Sequence, residues 1–318
     1  MAGSSPGAAN STGLCNWRAL GFLPPPFGPE LTITGQYDYP VTSDETGIAG
    51  SEPDVPPKID TSVAHSARIY DFILGGKDNF EADRAAAAAA LAVNPNMAAG
   101  MRANRALMRR MTAYLAGEAG IRQFLDIGTG LPTSPNMHEI AQRIAPESRV
   151  VYVDNDPIVL AHARALLVST AAGACTYIDA DARDPGAILA NPRLTATIDL
   201  SRPVALMLFG IVHFLLDSDD PQAIVARFMA ALPAGSYLAI QHPTADFDQS
   251  KVGAQGAYRN AGVPFQYRPR EEFARFTDGL ELVDPGITAM AEWHPELEPG
   301  PPPGLSEGGA YAALARKP

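Results

Sequence analysis

The sequence predicts an α/β fold in which helices cover both faces of a mostly parallel sheet. From residue 121 onward, short apolar runs rich in β-branched residues alternate with runs that have a helical period. This alternation is typical of βαβ units, whose parallel strands are joined by crossover helices. A glycine-rich turn follows the first of these strands, and aspartates follow the next two. The polar residues therefore gather at the carboxyl edge of the predicted sheet, where open α/β sheets bind ligands.

Composition and charge exclude several classes of protein. The chain has 318 residues, 46% of them hydrophobic, which is enough for a packed core and excludes global disorder. Its net charge of −11 disfavours a nucleic-acid or anionic-membrane partner, because either requires a basic surface. Two cysteines, Cys15 and Cys175, are too few for a disulfide framework, and no secretory signal is visible. We therefore expect a cytoplasmic protein that acts on a small molecule; the sequence does not predict its oligomeric state.

The chain divides into three predicted regions. Residues 1–57 are acidic, rich in Pro and Gly, and without apolar periodicity, so we expect a disordered tail. Residues 58–120 predict a helical cap, because apolar residues with a helical period form three runs, at 63–74, 81–92 and 98–116, each followed by Gly or Pro. Residues 121–318 are predicted to hold the sheet and its helices.

The elements of this last region follow in order along the chain. Strands are predicted at 123–127, 149–153, 175–178, 203–209, 237–241, 280–283 and 310–315, and helices at 135–145, 157–168, 185–190, 221–232 and 270–277. Asp184-Pro185 and Asp220-Pro221 each suit an N-cap followed by proline in the first turn. Residues 243–267 are interpreted as a long polar and aromatic insertion beside the sheet edge, where we expect substrate contacts.

The turn after the first strand contains Asp126, Gly128, Thr129 and Gly130. Two glycines there allow a tight turn and a close approach of backbone to ligand. The third glycine of a dinucleotide-binding fingerprint is missing, and a carboxylate at 126 would repel a diphosphate. The same carboxylate suits the α-ammonium group of a ligand that carries an amino acid. Ser134-Pro135 is predicted to begin the following helix, with serine as the N-cap.

Acidic residues after the second and third strands predict contacts to a nucleoside. An acid at the end of the second strand accepts hydrogen bonds from ribose hydroxyls in nucleoside-binding α/β folds. Asp156 precedes Pro157 and is explained as an N-cap, so Asp154, with Asn155 beside it, is assigned to the ribose. After the third strand, Asp181 is placed to accept from an adenine amino group, next to Ala182.

Several long runs resemble the class I S-adenosylmethionine-dependent methyltransferases, and more narrowly an actinobacterial methyltransferase family long catalogued as a domain of unknown function. The runs that carry the resemblance are residues 69–80, 103–105, 123–133 and 151–157. The resemblance implies a Rossmann-like, seven-stranded sheet whose last strand is antiparallel. It also implies that S-adenosylmethionine binds at the carboxyl ends of strands one to four. It implies no particular acceptor.

Further site candidates lie at other strand ends and in the cap. Phe209, at the end of the fourth strand, is a candidate to pack along the adenine or the methionyl chain. His213 and His242 are candidate general bases, although a helix cap or a satisfied core histidine is an equally good interpretation of each. Lys77, Arg68 or Arg105 is the candidate partner of the cofactor carboxylate, with a solvated turn and exposed Arg and Lys side chains as the alternative.

These observations predict an enzyme that transfers a methyl group from S-adenosylmethionine to an unidentified small molecule. The alternative is a non-catalytic S-adenosylmethionine binder that regulates a partner. A nicotinamide-dependent dehydrogenase is disfavoured by the missing third glycine and by Asp126. No pair of histidines or acids has a zinc-binding spacing, so no metal is predicted.

Overall fold

The computed structural model describes residues 59–166, 168–298 and 304–318, and within them eight strands form one sheet. The expected tail at residues 1–57 lies outside the described residues. The strands are β1 (Gln123–Ile127), β2 (Arg149–Asp154), β3 (Ala174–Asp179), β4 (Ala205–Leu208), β5 (Tyr237–Pro243), β6 (Glu281–Leu282), β7 (Thr288–Ala289) and β8 (Ala310–Arg316).

The strand order is β3-β2-β1-β4-β5-β8-β6, and β7 pairs with β8 away from this path. Strands β1 to β5 are parallel, whereas β8 runs antiparallel between β5 and β6. The α/β class and the antiparallel last strand are thus confirmed. The expected number of seven strands is exceeded by β7, a two-residue strand too short to give a periodic signal.

Alternate residues of the central strands enter two separate cores on opposite faces of the sheet. Phe124, Val150 and Met207 pack on one face, and Leu125 and Val151 pack on the other. All five residues of β1 and all four residues of β4 are buried. Strands covered on both faces are nearly continuous in apolar residues, which is why these segments are recognisable in the sequence.

The helices are α1 (Ser66–Ile73), α2 (Glu81–Val93), α3 (Met97–Gly117), α4 (Met137–Ile144), α5 (Pro157–Leu166), α6 (Pro185–Leu189), α7 (Pro192–Thr197), α8 (Pro221–Ala231), α9 (Val252–Asn260), α10 (Arg270–Ala274) and α11 (Leu305–Gly308). Both Asp-Pro caps are confirmed. The carboxylate of Asp184 accepts from the backbone N–H of Ala187 at 3.0 Å, and that of Asp220 accepts from the N–H of Ala223 at 3.2 Å. None of the described helices is long and apolar enough to cross a membrane.

One prediction of local structure is wrong. Helix α4 begins at Met137 and not at Pro135, because Asn136 is its N-cap and forms a capping box with Glu139. The insertion at 243–267 contains a helix that the sequence analysis did not predict, α9, which packs against α2. Two glycines within α9 lower its helix propensity, so its stability depends on tertiary packing.

Of the three N-terminal helices, α3 packs along the Phe124 face of the sheet through Leu107 and Met111, whereas α1 begins beside the end of β2. With α9 and the segment after it the three helices build a third core, which includes Ile69, Ala87, Met97, Tyr258 and Phe265. The separation of a cap domain from a sheet domain stays a prediction.

A buried group of charges ties α1 to the end of β2. The Nδ1 atom of His65 lies 2.9 Å from Oδ2 of Asp156. The Nε atom of Arg68 lies 3.5 Å from the same oxygen and 3.4 Å from Oδ1 of Asp83. Because Asp156 and Asp83 are almost fully buried, these pairs are shielded from solvent and fix the position of α1 on the sheet.

The pair of His65 and Asp156 predicts a pH-dependent stability. Burial opposes the protonation of His65, but the Asp156 carboxylate outweighs burial and raises the pKa of the imidazole above 6.5. A raised pKa stabilises the fold below the unfolded value, and this stabilisation is lost as the pH rises through the folded value. We expect His65→Gln to lower the melting temperature more at about pH 5.5 than at about pH 9. An Asp156→Asn background should abolish the difference; equal losses at both pH values would contradict the pairing.

Candidate active site

A cavity of about 640 Å³ opens at the carboxyl edge of the sheet, beneath the N-terminal helices. Its walls come from the ends of β1, β2 and β4, from α1 and α3, and from residues 258–267. This volume is within the range of roughly 300–1,000 Å³ that is usual for small-ligand sites. The edge at which it lies is the one expected from the strand-end residues.

The glycine turn after β1 forms one wall of the cavity. Gly128 and Gly130 have positive φ values of 74° and 67°, which favour glycine at both positions. A Cβ atom on Gly128 would lie 2.6 Å from the Ile211 side chain, so the turn packs closely against the loop after β4. At Gly130 a Cβ atom would meet nothing within 4 Å, and its backbone is therefore open to a ligand.

Asp154 fixes the shape of this turn. Its Oδ2 accepts from the N–H of Gly130 at 2.7 Å, and its Oδ1 accepts from the N–H groups of Asn155 and Asp156 at 2.9 and 3.0 Å. Burial raises the pKa of the Asp154 carboxyl, and the backbone donors oppose that rise. Because each carboxylate oxygen has two lone pairs, Oδ1 is filled by its two donors and Oδ2 keeps capacity for a hydroxyl group of a ligand.

Asp126 is a second buried carboxyl on the cavity wall. Burial raises its pKa to about 7, against the effect of a hydrogen bond from Thr129 and of the nearby Arg105. A carboxyl with this pKa is only partly ionised near neutrality. A cation placed beside it would favour the ionised form.

The remaining cofactor candidates differ in their placement. Asn155, Asp181, Ala182 and Phe209 all line the cavity, and Nδ2 of Asn155 donates to Oδ2 of Asp181 at 3.3 Å. Arg105 also lines it, donating from Nη2 to the carbonyl of Thr133 at 2.6 Å.

Lys77 is exposed and is not among the cavity-lining residues. Its loop is held by the Asp71 carboxylate, which accepts from the N–H of Asp78 and from Nδ2 of Asn79 at 2.9 Å. The neighbouring glycines, Gly75 and Gly76, do line the cavity. The loop thus reaches the site through its backbone, and the lysine side chain does not.

The two candidate bases are in different environments. His213 lines the cavity at 8% exposure, and its Nδ1 has no hydrogen-bond partner within the described part of the chain. Burial, His242 and Arg268 together hold the pKa of His213 well below its usual range, so its imidazole is neutral.

His242 is fully buried and does not line the cavity. Its Nδ1 lies 2.7 Å from the carbonyl of Pro243, and its Nε2 lies 3.0 Å from Nη1 of Arg268. Since both ring nitrogens are engaged, His242 has the bonding of a structural residue. Burial and the Arg268 charge lower its pKa to about 3.

Arg268 is a residue that sequence reasoning missed. It is 1% exposed and donates to the carbonyls of Val212 and Leu215 and to the Asp217 carboxylate, at 3.4, 2.9 and 2.8 Å. These bonds hold the turn that carries His213. A single arginine between Tyr267 and Pro269 gives no signal of this role in the sequence.

Asn104 and His65 were also missed as cavity residues. The Oδ1 atom of Asn104 is buried without a hydrogen-bond partner in the described residues. The sequence offered one signal for Asn104, because it belongs to one of the runs that carry the methyltransferase resemblance. No group of three His, Cys, Asp or Glu able to hold a metal occurs in the residues that the structure describes.

A family model described as S-adenosyl methyltransferase matches residues 52–318. The chain belongs to this family. Its cofactor is accordingly S-adenosylmethionine, and it is a methyltransferase. No curated protein matches the chain.

Two solved structures are similar along nearly their whole length. A DUF574 family protein from Streptomyces avermitilis is 52% identical, with a TM-score of 0.79; the match covers 82% of this chain and 100% of that one. A candidate methyltransferase from Thermobifida fusca is 42% identical, with a TM-score of 0.74, and the match covers 83% and 98%. Both matches agree with the methyltransferase resemblance that the sequence indicated.

The residues of the cavity fit the chemistry of this methyltransferase's cofactor. S-adenosylmethionine carries an amino acid and a nucleoside, and the cavity offers buried carboxylates as acceptors, an open glycine backbone and two arginines, Arg105 and Arg183. The unpartnered Oδ1 of Asn104 is a further acceptor for a donor group of a ligand.

A matched pair of variants distinguishes the role of Asp154 from that of Asp156. We expect Asp154→Asn to weaken S-adenosylhomocysteine binding about 30-fold, corresponding to about 2 kcal/mol for a lost charged acceptor. Asp156→Asn should leave the affinity nearly unchanged and lower the free energy of unfolding by about 3 kcal/mol, because it breaks a buried charge pair. Titration calorimetry and thermal unfolding measure the two effects, and a larger affinity loss for Asp156→Asn would reverse the assignment.

Proposed function

We propose that the chain transfers the methyl group of S-adenosylmethionine to a small-molecule acceptor within this cavity. The observation that carries the proposal is that a single cavity contacts both the glycine turn after β1 and His213 after β4. A cofactor held at the turn would therefore share an enclosed space with an acceptor beside the histidine. The acidic charge of the chain supports a small molecule over nucleic acid, and we retain the cytoplasm as the expected compartment.

In this proposal the strand-end residues hold the cofactor. Asp154 accepts from a ribose hydroxyl, Asp126 pairs with the α-ammonium group, and Arg105 pairs with the carboxylate. Asp181 accepts from the adenine amino group beside Ala182 and Asn155, while Phe209 packs along the bound molecule. Gly128, Thr129 and Gly130 bring the backbone close to it. The exposed position of Lys77 supports no direct role for that side chain.

The bound cofactor supplies a methyl group on a sulfonium, which is an excellent leaving group. The tasks of the protein are alignment of the acceptor, exclusion of water and removal of a proton where the acceptor carries one. His213 lines the cavity with a neutral imidazole, so it can accept a hydrogen bond from an acceptor hydroxyl. Because its pKa is low, it takes the proton only as the methyl group arrives and the oxygen becomes strongly acidic. His242 is assigned no proton transfer, because both of its nitrogens are occupied.

The role of Asp126 predicts how cofactor affinity depends on pH. Binding of an ammonium group requires the ionised carboxyl, whose pKa is about 7. S-adenosylhomocysteine should therefore bind more tightly as the pH rises through about 7, and more weakly again once the α-ammonium group of the ligand loses its proton. Asp126→Asn should bind more weakly, with no rise through pH 7. Calorimetry over this range measures both curves, and parallel curves would exclude Asp126 from the site.

The proposed function is tested by following a labelled methyl group. S-adenosylmethionine carrying an isotopically labelled methyl group is incubated with the protein and with native cell extract divided by ultrafiltration. We expect label to enter the small-molecule fraction, and His213→Asn to slow transfer at least tenfold while cofactor affinity is kept. Label in the retained fraction would indicate a macromolecular acceptor. Cofactor binding without transfer into either fraction would favour the regulatory alternative.

A further inference from the structure

The part of the cavity wall around His213 is aromatic. Phe214, Tyr258, Phe265 and Tyr267 line it, and we call these four residues the aromatic wall. The rings of Tyr258 and Phe265 are stacked with centroids 4.8 Å apart, and the Tyr267 ring stands edge-on to Phe265 at 4.9 Å. The centroid of the His213 imidazole lies 4.0 Å from the centroid of the Phe214 ring and 4.8 Å from that of the Phe265 ring.

The aromatic wall is fixed in place before any acceptor binds. Tyr258 is 4% exposed and Phe265 is 5% exposed, and both pack into the core that the N-terminal helices share with α9. The hydroxyl of Tyr258 lies 3.5 Å from the sulfur of Met97 on α3. Phe214 and Tyr267 are only half-buried, so part of their ring surface remains open. A wall of rigid rings favours flat, apolar ligands because little side-chain entropy is lost on binding.

Aromatic rings bind two kinds of ligand, flat apolar molecules and cations, and the charge near the aromatic wall distinguishes between them. Cation binding by rings is stronger when no other positive charge lies near. Here Arg268, which is paired with Asp217, lies behind His213 in the core, and burial, His242 and the Arg268 charge lower the pKa of the His213 imidazole. The same environment disfavours a positively charged acceptor group at His213 and favours a neutral one.

We propose that the acceptor is a planar aromatic molecule with a ring hydroxyl group, which lies against the aromatic wall with that hydroxyl at His213. This rests on the proposed function. In the transfer, an oxygen–carbon bond forms to the acceptor hydroxyl as the carbon–sulfur bond breaks, and the electron pair of the broken bond stays on sulfur. The hydroxyl proton passes to a ring nitrogen of His213 and from there to water. The products are a methyl ether and S-adenosylhomocysteine.

A matched pair of probes tests the aromatic requirement. 2-Naphthol and its saturated counterpart, trans-decahydro-2-naphthol, have the same ring connectivity and hydroxyl position, but only the first is planar and aromatic. Their affinities are measured by calorimetry on the full chain saturated with S-adenosylhomocysteine. We expect 2-naphthol to bind between threefold and tenfold more tightly than trans-decahydro-2-naphthol. This difference is within the range of about 0.5–1.5 kcal/mol that aromatic packing contributes. Equal affinities, or no binding of 2-naphthol, would overturn the proposal.

Variants assign the preference to the wall. Phe265→Leu and Tyr258→Leu should reduce the preference for 2-naphthol to less than twofold, while S-adenosylhomocysteine affinity stays within about twofold of the unsubstituted chain. Phe247→Leu is the matched control, because Phe247 packs against Tyr311 and does not line the cavity. A preference that survives both wall variants would overturn the proposal. If a wall variant fails to fold, the comparison of the two probes on the unsubstituted chain decides alone.

These measurements test the aromatic acceptor and the methyltransferase function separately. S-adenosylhomocysteine binding without a preference for 2-naphthol contradicts the aromatic acceptor and leaves the methyltransferase proposal in place. Absence of S-adenosylhomocysteine binding contradicts both. Conversion of 2-naphthol to its methyl ether with S-adenosylmethionine, slowed in His213→Asn, is the result that supports both together.

Discussion

The carboxylates at the end of β2 are the constraint on which the site depends. Asp154 bonds the backbone of the glycine turn to the end of its own strand, so two neighbouring strands present a single rigid edge. Two residues further on, Asp156 turns the opposite way and holds His65 and Arg68 of the N-terminal segment. Both acids are buried: Asp154 is compensated by three backbone donors, and Asp156 by one backbone donor and the neighbouring His65 and Arg68, which makes their desolvation tolerable. The end of β2 thus shapes the floor of the cavity and anchors the N-terminal segment that covers it.

Most of the sheet was predictable because burial on both faces leaves a strong local signal. Strand β1 was placed at its exact bounds, and the aspartates that cap helices after strands were recognised by the proline that follows them. The distinction between Asp154 and Asp156 by this rule was incomplete. Asp156 does accept from the N–H of Ile158, at 3.0 Å, but it also binds two side chains that lie almost ninety positions earlier in the chain.

What sequence reasoning missed depends on contacts between distant segments. Arg268 has its role only because the turn that carries His213 and the end of β5 come within reach of its guanidinium. Helix α9 contains glycines that weaken any helical pattern, and its packing against α2 compensates. The separate environments of His213 and His242 likewise follow from contacts with distant residues, because Arg268 binds His242 and only His213 lines the cavity. No periodicity within a single strand or helix contains that information.

The cover of the cavity is made by two segments that lie far apart in the chain, as the contact between Met97 and Tyr258 shows. The strand pairs next to the glycine turn and its aspartates involve neither segment. Apart from the residues that anchor these segments, such as His65 and Arg268, substitutions in the cover can therefore accumulate without disturbing strand pairing or register. Substitution of a few aromatic residues in the cover can therefore change which acceptor binds, while the residues that hold the cofactor stay unchanged. The architecture separates what must be preserved across a lineage from what is free to diversify.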